Sequence, residues 1–140
     1  MNRLIIAILV SSYVTPPAAA QSAQPGTVGP TRAAVEKRLD EQLGLMNRQA
    51  PIEIDSVTKL TAVTRAGPTL TYTYEVAIAE SSWTAELRKW ALQRAIKSNC
   101  IDNKETRMLL DAGYTLRHVF LDRAGLFVNN ILMTKEKCLE

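Results

Sequence analysis

The stretch from Thr69 to Ile78 constrains the fold more tightly than any other part of the chain. Leu70, Tyr72, Tyr74, Val76 and Ile78 alternate with Thr69, Thr71, Thr73, Glu75 and Ala77. Successive side chains of an extended strand point to opposite faces, so this period of two sets an apolar row on one side and a polar row on the other. Such a strand needs a sheet around it and a core beneath it, because an isolated hairpin is only marginally stable in water.

Partner strands can be read on both sides. Upstream, Ile52, Ile54 and the run Val57-Thr58-Lys59-Leu60-Thr61-Ala62-Val63-Thr64 read as one long strand. Its alternation slips between Ile54 and Val57, as at a bulge. Ala66-Gly67-Pro68 turns the chain, so the two runs pair as a hairpin. Downstream, Tyr114 to Leu121 and Leu126 to Thr134 read as a second hairpin. Its loop, Asp122-Arg123-Ala124-Gly125, ends in a glycine able to take the positive-φ position.

Helical patterning fills the rest. Thr31 is a plausible N-cap after Pro30, and Val35, Leu39, Leu43 and Met46 fall on one face of a helix ending near Gly44 to Asn47. Ser81 or Ser82 offers the N-cap of a second helix running to about Ser98. Trp83, Leu87, Trp90 and Ala91 share one face of it, widened by Leu92, Ala95 and Ile96, and that width predicts deep packing on the sheet. Asp102 with Glu105 resembles a capping box, opening a short helix from Asn103 to Ala112 that Gly113 stops. The order helix, strand, strand, helix, short helix, strand, strand predicts an α+β domain with a four-stranded, mostly antiparallel sheet packed by helices.

The amino terminus sets the compartment. Arg3 precedes the apolar run Leu4 to Val10, and Pro16-Pro17 separate that run from Ala18-Ala19-Ala20. This order is that of a cleavable secretion signal over residues 1–20, with Ala18 and Ala20 in the small-residue positions and cleavage before Gln21. A membrane-spanning helix needs about 20 apolar residues, more than this run supplies. Residues 21–30 are Gln, Ser, Ala, Pro, Gly, Thr and Val, a composition read as a flexible leader. Residues 31–140 then form a single domain, with no transmembrane segment in the mature chain.

Cys100 and Cys138 are the chain's two cysteines. An even count in an exported chain is most simply a disulfide, and a catalytic redox pair ordinarily lies closer in sequence.

Composition and motifs then narrow the chemistry. The formal charge is +3 with 17 basic and 14 acidic residues, and the cations are interspersed with acids, as in Glu36-Lys37-Arg38-Leu39-Asp40-Glu41. That pattern disfavours nucleic-acid binding. No phosphate loop, dinucleotide fingerprint or serine-hydrolase elbow is present. A zinc site needs three or four ligands, and His118 is the sole histidine. No catalytic, metal or cofactor residue is therefore assigned. Trp83 and Trp90, two helical turns apart, and the pair Tyr72 and Tyr74 are either core residues or an interface.

These readings point to a periplasmic or secreted, non-enzymatic binding or accessory protein whose partner is another envelope protein. Folds of this shape include exported inhibitors and secretion-system accessory proteins such as pilotins, an analogy of fold alone. The lack of a cysteine in or just after the apolar run departs from the lipoprotein pilotins. Two alternatives stand beside it: a small hydrolase using His118 with a carboxylate, and a structural subunit of a cell-envelope or secretion assembly.

Overall fold

The computed structural model describes residues 31–139. The expected secretion signal with its cleavage site at Ala18, Ala20 and Gln21, and the leader at 21–30, lie outside the described residues.

Thr31 caps α1 (Arg32–Gln49), its hydroxyl accepting from the Ala34 N–H at 3.3 Å. Leu43 is buried, and Leu39 and Met46 pack against the same core, while Val35 at the first turn is exposed. The helix continues past its expected end and stops before Pro51, whose ring cannot extend it.

The upstream run is two strands, not one bulged strand. β1 (Ile52–Asp55) reverses at Ser56-Val57 into β2 (Thr58–Ala66), and the Asp55 carboxylate accepts from the Val57 N–H at 2.9 Å to close the turn. The slip in alternation between Ile54 and Val57 marks this reversal. β1 pairs only with the start of β2, Ile52 opposite Leu60. Farther along, α1 takes over the exposed edge of β2. The Asn47 side-chain amide donates to the Val63 carbonyl at 2.6 Å and accepts from the Val63 N–H at 2.7 Å. One side chain thus satisfies the backbone groups that a neighbouring strand would otherwise pair.

The sheet therefore has five strands rather than four, in the spatial order β1-β2-β3-β4-β5, with β3 at Thr69–Val76, β4 at Thr115–Asp122 and β5 at Phe127–Met133. Neighbours are antiparallel except β3 and β4, which run parallel with Thr69 opposite Thr115 and Val76 opposite Asp122. Parallel neighbours require a crossover connection. Here it is α2 (Ala85–Ile96), a wider π-helical turn (Lys97–Asp102) and α3 (Lys104–Asp111).

Three features of this crossover differ from the sequence reading. Thr84, not Ser81 or Ser82, caps α2, its hydroxyl accepting from the Leu87 N–H at 3.2 Å; the serines form a short 3₁₀ turn ahead of it. Asn103, not Asp102, caps α3 by accepting from the Thr106 N–H at 3.0 Å. Asp102 is instead drawn to Lys97, 2.8 Å away. Finally, α2 buries none of its residues fully. The deep core belongs to Leu43 of α1, Leu110 of α3 and the inner rows of the strands, which leaves α2 resting on the margin beside β5.

Cys100, in the π-helical turn, is bonded to Cys138 beyond β5. The covalent link ties the crossover to the tail that follows the last strand. Gly125 closes the β4–β5 loop at φ 79°, a backbone region in which side chains with a Cβ are strained. Among the described residues no helix is long and apolar enough to cross a membrane.

Candidate docking surface

His118 lies in the core, at 5 % exposure. It stacks against Tyr72 and Tyr74 with ring centroids 5.4 and 5.9 Å away, and its Nδ1 is 3.1 Å from the Tyr74 hydroxyl. Burial pushes the imidazole down to about 4, and no cationic or acidic side chain contributes to that shift. A histidine general base needs access to substrate and a group that orients it. This one is enclosed by phenol rings and has no carboxylate partner among the described residues, so the hydrolase reading loses its geometry.

Tyr72 and Tyr74 are core residues as well, at 2 % and 3 % exposure, which removes them from any interface. Desolvation holds the Tyr72 phenol up at about 12 and raises that of Tyr74 further still. The two tryptophans part company. Trp83 precedes α2 and tilts against Phe120, ring centroids 6.1 Å apart, whereas Trp90 is half exposed with the Arg94 guanidinium 5.2 Å from its ring. They do not form one surface. Among the described residues no group of three or more His, Cys, Asp or Glu side chains could hold a metal ion.

The open face of the sheet is the better candidate. Strand alternation sends Leu70, Tyr72, Tyr74 and Val76 to the helix side, so Thr71, Thr73 and Glu75 face away. Register then carries two rows across the outer face. One runs Glu53, Lys59, Glu75, Leu121, Phe127; the other runs Thr64, Thr71, Arg117, Leu132. The face thus changes character from side to side. It is polar and threonine-rich over β1 to β3, and over β4 and β5 it carries Val119, Leu121, Phe127 and Leu132 together with Arg117 and Asn130.

At that end Phe127 is 58 % exposed and Leu132 45 %, with Leu126 beside them in the loop at 60 %. Val119 and Leu121 extend the patch inward as half-buried neighbours. Exposed apolar side chains gathered on one face are the kind of surface that another molecule covers. Sequence reasoning noticed the threonines but missed the patch. Phe127 and Leu132 looked like ordinary strand residues, and only the register shows that they share the outer face.

Two other surface features lack these properties. A shallow groove of about 720 Å³ runs along α1 past Arg65. Its central charges pair with each other: Arg65 Nε and Nη2 each lie 2.6 Å from an Asp40 oxygen, which holds the Asp40 carboxyl below its usual range. Near the disulfide, Ile101, Met108 and Leu139 are exposed but sit on irregular or helical backbone.

No protein-family model matches the chain, and no curated protein matches its sequence. Solved structures do. The pilotin EpsS of the Vibrio vulnificus type 2 secretion system aligns over 74 % of this chain and 91 % of its own, with a TM-score of 0.61 and 15 % identity. A Pseudomonas aeruginosa protein described as secreted aligns over 79 % and 99 %, with a TM-score of 0.64 and 18 % identity. The type II secretion system pilotin AspS of Vibrio cholerae aligns over 76 % and 99 %, with a TM-score of 0.55 and 26 % identity. The chain is thus a small α+β domain whose fold is shared with secretion-system pilotins and with a protein described as secreted.

Proposed function

We propose that this chain is an exported, non-enzymatic accessory protein of a type II secretion assembly, acting by holding another envelope protein on the outer face of its sheet. The observation that carries the reading is the 26 % identity to the Vibrio cholerae pilotin over nearly the whole of that protein. The domain boundaries expected from the sequence fit this reading: a secretion signal at 1–20, a leader at 21–30 and one folded unit from 31 onward. The disulfide suits an oxidising compartment, periplasmic or extracellular. Both cysteines are taken up by it, so neither is left to carry a lipid, and on this reading contact with the partner keeps the protein at the envelope.

A pull-down from envelope extract, with the exported chain as bait, tests the assembly. Recovery of a type II secretion component is expected, and its loss when Phe127 and Leu132 are both changed to serine. Recovery of none overturns the reading. Mass spectrometry of the exported product tests the processing: a chain starting at Gln21, two hydrogens lighter than its reduced form, is the expected result.

A further inference from the structure

We infer that β5 accepts a sixth strand, an extended segment of a partner protein that is apolar at alternate positions and carries acidic side chains. The inference rests on the docking-face reading and adds the partner's conformation and charge. β5 is the last strand of the sheet. Its sequence, Phe-Val-Asn-Asn-Ile-Leu-Met, holds neither charge nor proline, two of the devices that keep sheet edges from pairing.

The backbone phase shows which groups are free for pairing. Thr115 N–H donates to Pro68 O on the β3 side, and Asp122 N–H donates to Leu126 O on the β5 side. Alternation along β4 therefore turns Leu116, His118 and Phe120 toward β5, where their partners are Met133, Ile131 and Asn129. The N–H and C=O groups of Asn130 and Leu132 then point outward from the sheet. Val128 is the extra residue at the bulge, and its carbonyl accepts from Arg88 Nη1 at 2.6 Å. Asn130 and Leu132 remain as a short open ladder, the feature that β-strand addition uses.

Charge selects the occupant. Arg88 reaches this edge from α2, where its other contact is the Asn129 amide oxygen at 3.2 Å. Arg117 lies next to Leu132 on the outer face. Among the described residues no carboxylate lies within ion-pairing distance of either guanidinium. A second copy placed β5 to β5 does not supply one, and the acids of the opposite edge, Glu53 and Asp55 on β1, already have partners in Lys59 and the Val57 N–H. Asp122 is the only acid on β4 or β5, and its Oδ1 already accepts from the Ala124 and Leu126 N–H groups. Pairing β5 with β5 would also bring like cations together. An acidic partner segment with its apolar row beside Leu132 on the outer face turns its acids to the helix side, toward Arg88, so that the backbone ladder, the apolar row and that cation are satisfied together.

The test uses the disulfide-bonded exported chain and two short synthetic peptides, one alternating valine with glutamate and one alternating valine with lysine. Amide NMR and hydrogen exchange are followed at Asn130 and Leu132. The glutamate peptide is expected to slow exchange there and to bind about tenfold tighter than the lysine peptide. Asn130→Pro removes an outward N–H without touching the ladder to β4, and Leu132→Glu sets a like charge on the edge in place of an apolar contact; each should weaken the glutamate peptide about tenfold. Arg88→Glu should reverse the preference in favour of the lysine peptide, which loss of folding does not do. Equal affinities, unslowed exchange at Asn130 and Leu132, or perturbation confined to Ile101 and Leu139 overturn the inference. So does self-association that protects the same amides, or protection in the free chain that disappears when residues 21–30 are removed. A chain that binds the glutamate peptide but recovers no secretion component retires the assembly alone; the reverse retires the sixth strand alone.

Discussion

His118 shows how one residue changes meaning between sequence and structure. As the only histidine it is the natural candidate for proton chemistry, yet its place on β4 puts the ring between Tyr72 and Tyr74. There it is a stability determinant with a defined pH signature. Desolvation lowers the folded-state value from 6.5 to about 4. Between those two values the unfolded chain binds more protons than the folded one, so stability falls as the pH is lowered through that window. Above it the imidazole is neutral in both states and the effect vanishes. Thermal midpoints measured from pH 7 down to about 4 should fall accordingly, and His118→Leu should flatten that part of the curve. The same variant should be less stable at pH 7 by roughly 1–3 kcal/mol, because the buried Tyr74 hydroxyl loses its partner. An unchanged slope in His118→Leu would show that other groups set the acid sensitivity.

At the scale of elements, periodicity was a reliable guide and local end signals were not. The apolar row Leu70, Tyr72, Tyr74 and Val76 is buried as the alternation requires, and the two expected hairpin turns, at Gly67 and Gly125, fall where glycine allows them. The helix caps slipped by one to three residues because Ser81, Ser82 and Thr84 are all competent caps, as are Asp102 and Asn103. Which one wins depends on where the chain turns onto the sheet, and that is a tertiary choice. Asp102 also had a rival partner in Lys97. The deeper miss was β1. Four residues carry too few alternations to separate a strand-turn-strand from one bulged strand, and the decisive contact is the Asp55 side chain on the Val57 N–H. The cap assignments predict a clear contrast. Thr84→Ala and Asn103→Ala should each cost about 1 kcal/mol in urea unfolding, with Ser82→Ala and Asp102→Ala near neutral. Equal losses at Ser82 and Thr84 would mean that the 3₁₀ turn, rather than the first turn of α2, holds the helix entry.

For the molecule as a whole, the sequence made the class of fold and its covalent closure legible but not the outer-face patch proposed as the docking surface. Class follows from which segments alternate and which repeat at helical spacing, and those patterns survive without coordinates. The docking face does not, because it is assembled from Arg117, Leu121, Phe127 and Leu132 only once the parallel pairing of β3 with β4 fixes their register. That pairing also explains why the disulfide lies where it does. A parallel neighbour obliges the chain to leave the sheet through α2, the π-helical turn and α3, and α2 is shallowly packed throughout. Cys100 sits at the middle of this excursion and Cys138 just past β5, 38 residues apart. Closing a loop of that length stabilises by roughly 4 kcal/mol through the entropy of the unfolded chain, a large fraction of the 5–15 kcal/mol typical of a domain. Reduction, or the double change Cys100→Ser with Cys138→Ser, should therefore lower the thermal midpoint by well over ten degrees, about 4 °C or more per kcal/mol at this size. Because the link spans the crossover and not the β2–β3 hairpin, amide exchange should accelerate first in α2 and the π-helical turn, with β3 remaining protected. Uniform acceleration across α2 and β3 would instead show that the bond acts on global stability alone, and that the crossover is held by its packing against β5.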